Sequence, residues 1–114
     1  MKAWEVSYYV DDDGVCEIEG FIDRLSERNS AKFLAWVQML RERGPNLPRP
    51  YADLLRDGIH ELRIKLSGEQ VRGLYFFLRG NEIILTHTFK KTTAKVPQRE
   101  IDKALKIKEK LEGQ

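Results

Sequence analysis

Four side chains in the second half of the chain have the types and spacing to handle an anion: Arg63, Lys65, Arg72 and His87. Guanidinium groups grip phosphate through two parallel N–H donors, which an ammonium cannot do. Lysine adds a point charge, and beside a second cation it gives up its proton more readily. Histidine changes protonation near neutral pH. What joins the four is alternation. In GIHELRIKLSGEQVRGLYFFLRGNEIILTHTFKK, residues 58–91, Leu62, Ile64 and Leu66 alternate with Glu61, Arg63 and Lys65. That is the period of a strand with one apolar and one polar face.

The runs 71–78 and 83–89 are rich in β-branched and aromatic residues and read as two further strands. Ser67-Gly68-Glu69-Gln70 and Gly80-Asn81 supply the turns between them. A turn centred on Gly68-Glu69 sets Leu66 opposite Val71, Lys65 opposite Arg72 and Arg63 opposite Leu74. A turn on Gly80-Asn81 sets Leu74 opposite His87, Arg72 opposite Phe89 and Arg79 opposite Glu82, the last a favourable cross-strand pair. One face then carries Leu62, Ile64, Leu66, Val71, Tyr75, Phe77 and Ile84 as core. The other gathers Arg63, Lys65, Arg72 and His87 around Leu74, Phe76, Leu85 and Phe89. Lysine directly opposite arginine destabilises a sheet unless an anion sits between them. On this register, removing Arg72 would relieve ~0.2–1 kcal/mol of repulsion.

Other elements must hold that face in place. Residues 4–10 read as the first strand, followed by a turn at 11–14 in which Asp13 caps the next helix. Ile18, Phe21, Ile22 and Leu25 form one apolar stripe of that helix. Asn29 or Ser30 caps a second helix over 31–43, with Phe33, Val37 and Leu40 inward and Trp36 beside them. Gly44-Pro45 ends it. Residues 46–57 read as an irregular connector whose Arg49, Tyr51 and Arg56 can rim a binding site. Pro97 opens a last helix with Ile101, Ala104, Leu105 and Leu111 inward. Its Lys103, Lys106, Lys108 and Lys110 face water. The order is β-α-α-β-β-β-α: an α+β fold, with a small, mainly antiparallel sheet and helices on its apolar face.

At 114 residues the chain is one domain, 1–114, with a single core. Net charge is +2, but the halves differ: residues 1–58 sum to −3 and residues 59–114 to +5. The basic half holds the sheet, which points to a polyanionic partner. The lone Cys16 excludes an internal disulfide and fits a reducing cytosol. Asp11-Asp12-Asp13-Gly14 lacks the alternating ligands of a calcium loop, and no carboxylate set converges for Mg²⁺, so no metal or other cofactor is expected. No apolar run approaches the ~20 residues of a membrane span. Met1-Lys2-Ala3 leads straight into a strand without a secretory leader, so the expected location is cytoplasmic.

Three strings carry a resemblance: GIHELRIK (58–65), VRGLYFF (71–77) and THTFKKTTAKVPQREIDKA (86–104). Their G-x-x-E-L-R, R-x-x-Y-F and F-K-K…P patterns, in this order of elements, resemble the RelE/ParE toxin superfamily, in particular its HigB-like, phage-derived branch. The resemblance implies a microbial-ribonuclease-like α+β fold. It also implies a toxin that stops translation by cutting mRNA on the ribosome, neutralised by a helix-turn-helix antitoxin. Arg63 and Arg72 match the family's phosphate-handling positions, and Lys90 and Lys91 its basic pair. Such metal-free cleavage uses the ribose 2′-OH as nucleophile. It needs a proton acceptor, a proton donor and cations beside the phosphate. Arg63, Arg72, Lys65 and His87 are the expected catalytic set; Lys90, Lys91, Phe89 and Lys95 are the expected RNA contacts. Many relatives carry a Tyr or His near the C-terminus, whereas here no Tyr follows Tyr75 and no His follows His87. A basic sheet face would equally serve a toxin aimed at DNA gyrase, or a module that only binds its antitoxin.

Overall fold

Asp57-Gly58 and Ser67-Gly68 fix the register of the sheet. All four residues have positive φ (50°, 82°, 49° and 83°). Such a two-residue turn has the backbone twist of the strands it joins. In the computed structural model, which describes residues 3–114, the first turn links β2 (Ala52–Arg56) to β3 (Ile59–Leu66). The second links β3 to β4 (Glu69–Phe77), and β5 (Glu82–Lys90) follows. Strand β1 (Glu5–Tyr8) adds parallel to β5, giving the order β1-β5-β4-β3-β2. The expected mainly antiparallel α+β sheet is present, with one strand more than expected. Residues 52–56, read as irregular connector, form β2, because Asp57-Gly58 is itself a hairpin turn. Met1-Lys2, part of the reading that no leader is present, lies outside the described residues.

The turn at Ser67-Gly68, rather than Gly68-Glu69, shifts the β3–β4 pairing by two residues. Leu66 faces Glu69, Lys65 faces Gln70 and Arg63 faces Arg72. An even shift preserves which face each side chain occupies but changes every partner. Between β4 and β5 the expected pairs Leu74–His87 and Arg72–Phe89 form. A bulge then intervenes: Tyr75 faces Leu85, leaving Thr86 as the extra residue. The bulge exchanges the faces of Ile84 and Leu85 relative to the straight register. Leu85 joins Leu62, Ile64, Val71 and Tyr75, while Ile84 joins Leu74 and Phe76.

Both faces of the sheet are covered. Helices α1 (Glu17–Asp23) and α2 (Glu27–Arg43) lay Ile18, Phe33, Val37 and Leu40 on the first. Helix α3 (Gln98–Glu112) lays Ala104 and Ile107 on the second, over Ile59, Leu74, Phe76 and Ile84. The sequence left two fates open to Phe76 and Phe89 on the second face, stacking on bases or packing under a helix or antitoxin segment; in the fold both join the α3 cluster. Two of the lysines expected in water tie α3 to the start of α1 and to the turn before it: Lys103 to Glu17 (2.7 Å) and Lys110 to Asp12 (2.6 Å).

Two caps also differ from expectation. Asp11 accepts the N–H groups of Asp13 and Val15 (both 2.9 Å), so Asp13 caps nothing and α1 starts after Cys16. Ser26 caps α2 by accepting from the Asn29 N–H at 3.1 Å, and the Asn29 side chain instead accepts from the Ser67 hydroxyl. At the other end of α2, Gly44 has φ +52° and lies under the Trp4 indole, where a Cβ would overlap the ring. Gly68, with φ +83°, has open space around it. Gly44→Ala therefore combines backbone strain with overpacking and should cost about 2–4 kcal/mol, against ~1 kcal/mol for Gly68→Ala. Thermal melting followed by circular dichroism should show Gly44→Ala melting well below Gly68→Ala.

Candidate functional site

With Arg63 directly opposite Arg72, two guanidinium groups share one patch of sheet, and an anion between them is required. That anion is Glu61, on the same face as Arg63 and two residues before it. Arg72 Nε lies 2.9 Å from Glu61 Oε1, while Arg63 Nε and Nη2 each donate to Glu61 Oε2 at 3.3 Å. Arg63 Nη2 also donates to Asp53 Oδ2 (3.3 Å), and Asp53 pairs with Arg49 at 3.0 Å. The hydrogen bond from Arg49 holds the Asp53 carboxyl below the ordinary aspartate range. Arg72 completes its contacts through Gln70 Oε1 (3.1 Å) and the Val71 carbonyl (3.3 Å).

Glu61 is 4% exposed and Arg72 6% exposed. Burial makes the Arg72 guanidinium easier to deprotonate, and the neighbouring Glu61 carboxylate opposes that. The Arg72 Nε–Glu61 Oε1 contact is an ion pair without an aligned hydrogen bond, and both atoms are otherwise unpartnered. Distance makes it electrostatically strong in a dry setting, while the missing alignment leaves each atom a free hydrogen-bonding direction.

Beside this pair is a cleft of about 350 Å³. Glu61 and Arg63 form one wall; Lys91 and Lys95, on the segment joining β5 to α3, form the other, with Gln98 and Ile101 at the start of α3. Arg72 stands behind Glu61 and does not line the cleft. The structure thus brings together Arg63, Arg72, Lys91 and Lys95 from the expected set. It separates the rest. Lys65, opposite Gln70, lies in a groove against α2. Lys90 points to the other side of the sheet from Lys91 and pairs with Glu69 at 2.8 Å. Phe89 packs into the α3 cluster, its ring 5.9 Å from that of His87. His87 is 1% exposed, held between Thr86 Oγ1 (2.9 Å) and Glu100 Oε1 (3.1 Å), so α3 stands between it and any substrate.

Glu61 is the site residue that was not singled out, although alternation already placed it beside Arg63. Asp53 could be found only once β2 was recognised. His60, on the opposite face, stacks on Tyr75 with centroids 5.2 Å apart. Among the described residues, no three His, Cys, Asp or Glu side chains converge as a metal site would need.

The expectation that removing Arg72 relieves repulsion is overturned by the new pairing, because Arg72 neutralises a buried carboxylate. Arg72→Ala should destabilise the protein by about 3 kcal/mol, read from urea unfolding. A second expectation concerns pH. Burial lowers the proton affinity of both His60 and His87; Lys103 adds to this at His87, where Glu100 opposes it. The unfolded chain, with histidines titrating near ~6.5, then binds more protons than the folded one. Stability should fall as pH drops below about 6.5, before the carboxylates titrate near ~4. Melting curves across that range should show the loss, and His60→Gln should reduce it.

No match was found among curated proteins. The family model described as "Phage derived protein Gp49-like (DUF891)" matches residues 20–109, from within α1 to near the end of α3 and including every residue of the cleft. The chain therefore belongs to the Gp49-like family of phage-derived proteins, a toxin-like family related to the RelE/ParE-type toxins.

Proposed function

We propose that the protein is the toxin of a type II toxin–antitoxin pair of the HigB-like kind, an endoribonuclease that cuts mRNA on the ribosome in the cytoplasm. One observation carries the reading: a carboxylate set between two guanidinium groups on one wall of a cleft whose other wall is two lysines. Each demand of metal-free RNA cleavage then has a group. Glu61, the one carboxylate among the cleft's lining residues, accepts the proton of the ribose 2′-OH. The 2′ oxygen bonds to the adjacent phosphorus, and the bond from phosphorus to the 5′ oxygen breaks. Lys91 or Lys95 supplies the proton that the leaving 5′ oxygen takes up. Arg63 stabilises the charge that develops on the phosphate oxygens, and Arg72 keeps Glu61 in place from behind. The products are a 2′,3′-cyclic phosphate and a 5′-hydroxyl. A helix-turn-helix antitoxin that closes this cleft would silence the protein.

The test is growth arrest on expression, together with primer extension on cellular mRNA. The unaltered protein should give cuts within translated regions. Arg63→Ala and Lys91→Ala, at equal expression, should lose both effects, since one such cation is worth a factor of ~10² or more in rate. DNA damage in place of mRNA cuts would redirect the reading to a gyrase-type target. A second reading, a module that binds its antitoxin without cutting, draws on the burial of Arg72 and His87. Absence of both mRNA cuts and growth arrest would select it.

A further inference from the structure

A second stripe of α2 runs beside its buried one. Phe33, Val37 and Leu40 are buried, while Lys32, Ala35, Trp36 and Met39 follow at i, i+3, i+4 and i+7 and line a groove of about 260 Å³ with Lys65. The Tyr51 ring, 40% exposed, stands 5.8 Å from that of Trp36. Lys32 and Lys65 are exposed, and among the described residues neither is in an ion pair. Among the described residues, no acidic side chain lines the groove.

The groove and the cleft share no lining residue but are linked through β3 and the chain beside it. The Arg63 N–H donates to the Tyr51 carbonyl at 2.8 Å, so the residue that lines the cleft is bonded to the one beside Trp36. Lys65 follows Arg63 by two residues, about 7 Å along the strand. That matches the reach between neighbouring phosphates of an extended single strand. Strand β2 pairs with β3 only as far as Leu62, so the edge left open at Lys65 and Leu66 is too short to take up a peptide as an added strand. A tryptophan and two lysines lining one groove, with Tyr51 beside the tryptophan, suit a base and its flanking phosphates.

We infer that the groove formed by Lys32, Trp36, Met39 and Lys65, with Tyr51 at its rim, is a single-stranded RNA subsite holding a nucleotide next to the one in the Arg63 cleft. Trp36 and Tyr51 take the base, and Lys32 and Lys65 take the phosphates. The inference rests on the nuclease reading for the identity of the strand, but its test needs no cleavage.

The test is fluorescence anisotropy of a labelled oligouridylate with the full-length protein over a series of salt concentrations. Lys32→Ala/Lys65→Ala should weaken binding and flatten the slope of log K against log salt by about 1.4, the contribution of two phosphate contacts. Tyr51→Ala should weaken binding about 5-fold or more with the slope unchanged. All three positions are exposed, and circular dichroism confirms that the variants fold. Unchanged affinity and slope in the double variant overturn the subsite, as does absence of oligouridylate binding by the unaltered protein. Polyglutamate binding that the double variant loses, with RNA binding intact, also overturns it and makes the groove a site for an acidic protein segment. If Arg63→Ala and Lys91→Ala leave toxicity intact while the double variant loses RNA, the nuclease reading fails and the subsite stands.

Discussion

Glu61 sits between two arginines that the β3–β4 register places face to face, and much of the molecule depends on that arrangement. Without the carboxylate, Arg63 and Arg72 would repel each other in a half-dry setting, and the strand pairing would carry the cost. With it, the same pairing gains a fixed charge cluster at the wall of a cleft. The cluster is graded by depth. Arg72 is buried and serves Glu61; Arg63 is partly open and reaches outward, steadied by Asp53 from β2. One cation therefore supports the acid while the other remains within reach of a ligand.

Helix α3 lays its apolar side on Ile59, Leu74, Phe76 and Ile84 and closes over His87, while the segment before it carries Lys91 and Lys95 to the cleft rim. Burial lowers the proton affinity of His87 beneath α3 and of His60 on the other face, so the packing of both sheet faces makes the fold sensitive to mild acid. The bulge at Thr86 belongs to the same design. It lets Leu85 fill the opposite core while His87, in its unshifted place, meets Glu100 of α3.

The two basic features of the sheet thus have different surroundings. Lys91 and Lys95 join a carboxylate and two arginines in the cleft, whereas Lys65 joins Lys32 and the Trp36–Tyr51 pair around the open edge of β3. By alternation Lys65 shares the face of Arg63, and the open edge lets its long side chain wrap round toward α2, whereas successive side chains part by pointing to opposite faces. Lys90 and Lys91 show the simplest case: neighbours in sequence, on opposite sides of the sheet.

Much was legible in the residues alone. Period-2 alternation gave β3 and its polar face, and the helical stripes gave α1, α2 and α3. Alternation is local, so it survives any packing. Asp57-Gly58 was equally legible as a hairpin turn and would have revealed β2 and with it Asp53. Partners across strands were another matter. Whether a turn uses Ser67-Gly68 or Gly68-Glu69 costs the local chain little, yet it decides whether Arg72 meets Lys65 or Arg63. A bulge at Thr86 leaves no mark in composition. Above all, the stripe on α3 showed that it buries one side, not which face of the sheet it buries that side against. Only tertiary packing decided that Arg72 is buried, that His87 lies beneath a helix and that Glu61 is the anion between the arginines, because burial and charge pairing depend on elements far apart in sequence.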